Sequence, residues 1–523
     1  SLTEQFGVRS LEFSPEFGFK LNGKKMFLQG NANHHDLGAL GAACYDRAIE
    51  RMMLQLKSFG YNCIRCSHNP YSDSFARIAD RVGILVVDEL TDKWSNNDYW
   101  GGRQPFTHIW HKLITEWIKR DRNRPSIILW SLGNELQIRE GWAGFEGTND
   151  WGITTYNIFN QLVKRWDHTR LTTVAMFPAR AGAITRHDKE FNDYLVPPEL
   201  ACATEVASFN YQSDKYDVYL KYRPDLILFQ SEAETSNLLQ PYYNMDRKRT
   251  VGMAYWGSVE YWGESNKWPK KGWNYSFFGH TMRPYPQAYL IKSAFMPEIP
   301  EVHIGVVDAA GAESVSWNDV VVGRMALNEC WNHTPGSRQS LFAFTNAHSV
   351  ELLVNGQSMG VQENDTTQAN RRNMIYWKDV PYGNGGSVVA IARDKSGKEV
   401  ARHHIETAGK AVALRIEAET PADWKADGMD LQYINVTAID KKGRPVWDYN
   451  EPLTLQMEGV ARLVALDNGD HYTDELFHGI TSKRMYQGRM QIILRSDQKA
   501  GNVMVKVFSA GLKGTLRLKT INE

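Results

Sequence analysis

Two glutamates carry the strongest chemical signal in this 523-residue sequence, because each stands where an apolar run stops. Ile127-Ile128-Leu129-Trp130-Ser131 leads through Leu132 into Gly133-Asn134-Glu135. Leu226-Ile227-Leu228-Phe229-Gln230-Ser231 leads into Glu232, with Glu234 two residues on. Two facing carboxyl groups can cleave an acetal: one, protonated, donates to the departing oxygen while the other attacks the carbon or activates water. Spacing does not choose between Glu232 and Glu234, since residues two apart share a strand face.

Other short runs end in polar clusters of the same kind. They are His34-His35-Asp36, then Arg65 with His68 and Asn69, Asp88-Glu89 followed by Asp92 and Trp94, Asn210-Tyr211, and Trp256. Amides and imidazoles hydrogen-bond sugar hydroxyls, and Trp stacks on a ring face. With no cysteine nucleophile or phosphate loop among them, these groups suit a neutral polyhydroxylated substrate. Arg65 and Tyr211 are placed to keep a nucleophilic carboxylate ionised, and burial raises the pKa of an acid. Taken singly the residues read more plainly. His34 and His35 fit core histidines, Asp88 and Glu89 fit anchors for the next loop, and Trp256 fits a filler of the barrel mouth. His-His-Asp is half a metal site without a helical His-x-x-x-His, so no metal is expected there.

The elements that must position these groups follow a regular alternation. After a hairpin in residues 1–25 come strand-like runs at 26–30, 61–65, 84–87, 127–131, 171–176, 206–211, 226–232 and 251–256. Between them lie helical spacings at 48–60, 75–82, 109–120 and 151–166, and a short one near Val218. Eight strands alternating with helices over about 250 residues predict a (β/α)8 TIM barrel, whose catalytic groups stand at the carboxyl ends of the strands. A doubly wound open sheet needs a glycine-rich phosphate turn after its first strand, and Gln29-Gly30-Asn31-Ala32 is not one. Past residue 300 helical spacing disappears. Short alternating strands between Gly, Asn and Pro turns predict two immunoglobulin-like β-sandwich domains, bounded at 301–409 and 410–523 after a catalytic domain of 1–300.

Composition excludes several classes. With 60 basic and 60 acidic residues, neither nucleic acid nor an anionic membrane has an electrostatic footing. Five cysteines show no disulfide framework, and Cys63 and Cys66 inside an apolar run read as buried thiols. No apolar run reaches the length of a membrane span, and Ser1 opens no signal peptide.

At these residues the sequence resembles glycoside hydrolase family 2, in particular its β-galactosidases. The matching stretches include Phe6-Gly7-Val8-Arg9, Leu21-Asn22-Gly23-Lys24, His34-His35-Asp36, and Asn62-Cys63-Ile64-Arg65-Cys66-Ser67-His68-Asn69-Pro70. Val87-Asp88-Glu89, Arg120-Asp121-Arg122-Asn123-Arg124-Pro125-Ser126, Trp130-Ser131-Leu132-Gly133-Asn134-Glu135 and Gln230-Ser231-Glu232 follow in order. The resemblance implies Glu135 as acid/base and Glu232, rather than Glu234, as nucleophile. It implies Asn134 as partner of the sugar 2-hydroxyl, and a substrate pocket lined by His34, Arg65, His68, Tyr211 and Trp256. The implied reaction is exo-acting hydrolysis of terminal β-linked sugars with retained configuration, on an oligosaccharide or polysaccharide-derived substrate, in the periplasm or outside the cell. A β-glucuronidase, a hydrolase of sulfated or acidic galactans, and a non-catalytic carbohydrate-binding protein are the rival readings. Trp94 stands where some galactosidases place a metal-binding His, so no cofactor or metal is expected. Arg124 replaces a usual His, Ala233-Glu234-Thr235 replaces residues that fix outer hydroxyls, and Pro269-Lys270-Lys271 keeps half of a carboxylate grip. The family carries two β-domains before its barrel that this chain does not show, and a homo-oligomer is left open.

Overall fold

The structure is a computed structural model. It describes residues 6–94, 106–136, 152–177, 197–265, 267–308, 313–317 and 320–522. Its contacts group into two units, residues 1–35 with 56–258, and residues 36–55 with 259–523.

The first unit opens with three short antiparallel strands, β1 (Leu11–Ser14), β2 (Gly18–Leu21) and β3 (Lys24–Met26). Asn22 and Gly23, both at positive φ (51° and 73°), turn β2 into β3, as a two-residue hairpin requires. The barrel strands are β4 (Leu28–Asn33), β5 (Cys63–Cys66), β6 (Leu85–Glu89), β7 (Ile127–Asn134), β8 (Leu171–Met176), β9 (Val206–Asn210), β10 (Leu228–Ala233) and β11 (Gly252–Trp256). They pair in parallel, and β11 closes on β4. Helices alternate with them: α1 (Asp46–Ser58), α2 (Asp73–Val82), α3 (Phe106–Asp121), α4 (Ile153–Trp166), α5 (Glu199–Ala203), α6 (Tyr216–Tyr222) and α7 (Gln240–Asn244). The barrel predicted from the alternation is therefore present, with two refinements. β7 runs three residues past Ser131 and is buried throughout, as a barrel strand covered on both faces must be. The five residues of α5 are too short to show a period. Residue 151, the predicted start of the fourth helix, lies outside the described residues.

Local chemistry explains the punctuation. Ser72 caps α2 by accepting the Phe75 N–H, and Gly83 ends it in the left-handed region at φ 75°. At the β4–β11 seam a Cβ on Gly252 would sit 2.3 Å from that of Leu28, so only glycine lets these strands close the barrel. Cys63 and Cys66 are buried thiols on β5, and burial pushes Cys63 up to about 12.

In the second unit two pairs of four-stranded antiparallel sheets follow one another. The first pair joins strands including Val302–Val307 and Arg338–Thr345 with those of Ser349–Val354 and Ser387–Arg393 around Ile304, Leu341, Leu352 and Ala390. The second joins Leu431–Ile439 and Arg489–Ser496 with Pro452–Gly459 and Gly501–Ser509 around Ile434, Leu455, Ile492 and Val505. Along Gly501–Ser509 buried positions alternate with more exposed ones, which puts one face in the core, the pattern of a two-sheet sandwich. Among the described residues no helix is long and apolar enough to cross a membrane.

Candidate active site

The carboxyl ends of the barrel strands hold a buried network built around Arg65 of β5, which is 1% exposed. Its Nη1 donates to Glu232 Oε1 at 2.7 Å. Its Nε and Nη2 donate to Glu89 Oε2 at 3.0 and 2.7 Å, and Nη2 also reaches Asn134 Oδ1 at 2.9 Å. Arg65, expected to line the pocket, is buried and holds its neighbours. Glu89 does more than anchor a loop: it also accepts Ser131 Oγ at 2.7 Å and contacts His68 Nδ1 at 2.6 Å. That short contact places the His68 proton on Nδ1 and turns Nε2 toward Asn134 Nδ2, 3.4 Å away, and Glu232 Oε1, 3.8 Å away. Burial, with Arg65, His34 and Lys93 adding, holds the His68 pKa well below its usual value, so the ring is neutral.

Glu232, near the end of β10, receives Tyr211 Oη at 2.6 Å on the oxygen that Arg65 leaves open. Tyr211 also donates its N–H to the Glu232 carbonyl at 2.8 Å and sits at φ 58°. Burial raises the Glu232 pKa, and Arg65 and Tyr211 pull it back. Glu135 is gripped more weakly. It follows β7 at φ 49°, its N–H bonds the Ala175 carbonyl at 2.7 Å, and its carboxyl accepts Asn210 Nδ2 at 3.1 Å. Burial, reinforced by the charge of Glu232, pushes it up to about 8. A guanidinium and a phenol on one carboxylate, a single amide on the other, put the shared proton on Glu135. The arrangement offers a proton donor and an anionic nucleophile side by side at neutral pH.

Asn210 joins the two halves. Its Nδ2 also donates to Asn134 Oδ1 at 2.9 Å, its Oδ1 accepts Ser231 Oγ at 2.8 Å, and it pairs with Glu232 across β9 and β10. With Arg65 and Asn210 on Oδ1, the Asn134 amide is turned so that Nδ2 meets Asp92 at 3.1 Å and His68. Gly133 has a steric reason: a Cβ there would lie 2.7 Å from the indole nitrogen of Trp94, which donates to Leu132 O at 2.6 Å. Trp94 is thus a buried prop for the Gly133-Asn134-Glu135 turn. His34, His68 and Trp256 form one aromatic wall. His68 stacks on Trp256 at 5.3 Å, and His34 meets both rings edge-on at 5.5 and 5.1 Å.

Several neighbours in sequence are turned elsewhere. His35 packs on Tyr71 and Phe75, and burial lowers its pKa. Asp36 accepts the N–H groups of Gly38 and Trp262. Asp88 accepts Trp117 Nε1 at 2.6 Å from α3, the direction opposite to Glu89 on an alternating strand. β10 ends at Ala233, so the strand alternation that would put Glu232 and Glu234 on one face does not extend to Glu234. Glu234 bonds Asn237, which leaves Glu232 with Arg65 and Tyr211. Asn210 stood at a strand end in the sequence without a role. Lys93, whose Nζ reaches Asp92 at 2.6 Å and Asn134 O at 3.1 Å, carried no signal, since loop residues have no period.

The family profile described as "Glycosyl hydrolases family 2, TIM barrel domain" matches residues 16–248, and "Glycoside hydrolase family 2 C-terminal domain 5" matches 414–516. The chain belongs to glycoside hydrolase family 2. A third profile, a domain of unknown function, covers 336–401. Among family 2 relatives, a beta-galactosidase of Bacteroides ovatus is 28% identical over 98% of this chain and 63% of its own length. A Formosa agariphila protein named for beta-glucuronidase is 42% identical over 99% of this chain and 50% of its own. A family 2 crystal structure from Bacteroides cellulosilyticus superposes with a TM-score of 0.82 at 29% identity, covering 98% of this chain and 64% of that one. The chain therefore spans between half and two thirds of the length of these relatives.

Proposed function

We propose that the chain carries the catalytic barrel of an exo-acting retaining β-glycosidase, with β-galactosides as its first substrates. The observation that carries the reading is the unequal treatment of two buried carboxyls: Glu135 is pushed up to about 8, while Glu232 is held by Arg65 and Tyr211. Glu232 attacks the anomeric carbon as Glu135 passes its proton to the departing oxygen. Glu135, now a carboxylate, takes a proton from the water that breaks the glycosyl–Glu232 ester, and two inversions leave the configuration unchanged. Neutral His68 and His34, the Asn134 amide and Trp256 serve as the pocket's polar and apolar contacts. No metal or cofactor is called on for these steps.

A second reading, a β-glucuronidase or a hydrolase of modified galactans, draws on the 42% identity to the Formosa agariphila protein. The family resemblance supports export to the periplasm or beyond. The test is a panel of aryl β-galactoside, glucuronide, glucoside and mannoside, with proton NMR of the first-formed sugar. Turnover of the galactoside with β-configured product is expected. Preference for the glucuronide installs the second reading, an α-configured product excludes the retaining mechanism, and sugar binding without turnover of any glycoside excludes catalysis.

A further inference from the structure

In the second unit four ionisable side chains converge that the proposed reaction does not use. Glu260, His280, Asp467 and His471 are 2%, 4%, 1% and 4% exposed. One ligating atom from each of Glu260, His280 and His471 falls within 4.8 Å of the others. Glu260 Oε2 lies 3.1 Å from His280 Nδ1 and 3.4 Å from His471 Nε2. A tetrahedral ion with ligands at about 2.0–2.1 Å holds neighbouring ligand atoms about 3.3 Å apart, so both separations are tetrahedral edges.

The surroundings are those of a metal site rather than of a simple ion pair. His280 Nε2 lies 2.9 Å from Asp467 Oδ1, and a proton held there toward that carboxylate leaves the Nδ1 lone pair facing Glu260 Oε2, which also accepts the His280 backbone N–H at 3.1 Å. Glu260 Oε1 accepts Tyr285 Oη at 2.7 Å, which fixes the carboxylate's rotation. Among the described residues neither ring nitrogen of His471 has a hydrogen-bond partner, although the ring is buried. A buried nitrogen without a partner is costly, and an ion on Nε2 gives one of them a partner. The Trp262 ring flanks both imidazoles at 4.6 and 4.8 Å. The cluster borders a cavity of about 550 Å³ lined by Glu260, His471, Asp467 and Asn274, which supplies an entry path. Arg324, 3.9 Å from Glu260 Oε1, is the cation nearest that carboxylate.

A second cluster, His303, Glu329 and His403, makes a useful contrast. There the two imidazoles stack face to face at 3.9 Å, and His403 Nδ1 already accepts the Ile304 N–H. Lone pairs in stacked rings run parallel instead of converging on one point, so that cluster is not a tetrahedral cage.

We propose that Glu260, His280 and His471 bind one divalent transition-metal ion, zinc first among them, with Asp467 orienting His280 and water at the fourth position. The ion fastens residues 260 and 280 to the 467–473 loop of the last sandwich and has a structural role. The rival is metal-free, with a proton on His280 Nδ1 shared with Glu260. The full chain, stripped with a chelator and dialysed, is titrated with Zn²⁺ and with Co²⁺. Expected are one equivalent bound, intense visible bands of tetrahedral Co²⁺, and a rise in Tm on adding Zn²⁺. His471→Ala and Glu260→Gln should abolish the stoichiometric ion, and Asp467→Asn should weaken it by about 10–100-fold. No Co²⁺ band and no Zn²⁺-dependent Tm in the unmodified chain would overturn the proposal, whether or not the variants fold. So would zinc that survives His471→Ala, or that is lost instead on His303→Asn.

Discussion

The two ends of the barrel bury the same kinds of groups in different proportions. At the carboxyl ends, Arg65 serves Glu89 and Glu232 while Lys93, the cation acting on Glu135, is paired with Asp92, so one of three carboxyls keeps a proton. At the amino ends of β7 and β8 a buried carboxylate has an arginine of its own. Arg170 Nη1 meets Asp167 Oδ2 at 2.5 Å, with Trp130 Nε1 and Thr169 completing that carboxylate's partners. Burial opposes ionisation there too, but Arg170, Thr169 and Trp130 outweigh it and hold Asp167 at about 2. The other donors of Arg170 close on the Ile127 and Arg124 carbonyls. Balanced charge makes a fastening that keeps its charge at any pH above the lowered pKa of Asp167. A deficit of cations makes a proton that can move. This is the barrel's division between a stabilising bottom and a reactive top, expressed as a charge count.

The comparison breaks most violently at Glu232. Glu232→Gln should lower kcat/KM on aryl β-glycosides by roughly 10⁵-fold, as expected when a covalent nucleophile is removed, with azide restoring turnover to an azido sugar. Near-normal turnover without azide would sink the assignment. Glu135→Gln should cost about 10²–10⁴-fold on glycosides with poor leaving groups and far less on activated ones. Because the acid form exists below its raised pKa, wild-type kcat/KM should fall as pH rises through about 8, and that limb should vanish in the variant.

At the bottom the effect moves from rate to stability. Asp167→Asn leaves Arg170 buried without its counter-charge and should cost about 3–5 kcal/mol in denaturant melts, with the pH–rate profile unmoved. A shifted profile would end the division argued above. Asp167 is depressed from 3.8, so its contribution is present above that value and lost as pH falls toward 2. The smallest effect has the opposite sign. Glu135 is raised from 4.5, so the folded state gains from it fully below 4.5 and loses that gain as pH rises through 8. Glu135→Gln should therefore melt at a higher temperature than the native chain at pH 9 and at nearly the same temperature at pH 5.

Much of this was legible before any coordinates. Alternating apolar runs and helical spacings reveal a barrel because period is a local property, and Gly133-Asn134-Glu135 announces itself because an apolar strand ends there. The hairpin at Asn22-Gly23 is equally local. Glu89 and Asp88 show where that reading stops. They are adjacent, chemically alike and both buried, yet one holds Arg65 and His68 while the other faces Trp117 of α3. Only the pleat of β6 decides between them. Asn210 and Lys93 were likewise invisible as partners, since the groups they hold, Asn134 and Glu135, are 41 to 76 residues away in the chain.

The sequence by itself determined the order of the elements, the identity of the carboxylates at the strand ends and the family to which they belong, all of which depend on residues near one another. The resemblance implied which carboxyl keeps the proton, and tertiary structure supplied the reason. That outcome rests on how many donors converge on each from other strands, and on how deeply the closed barrel excludes the water that would otherwise make the two alike.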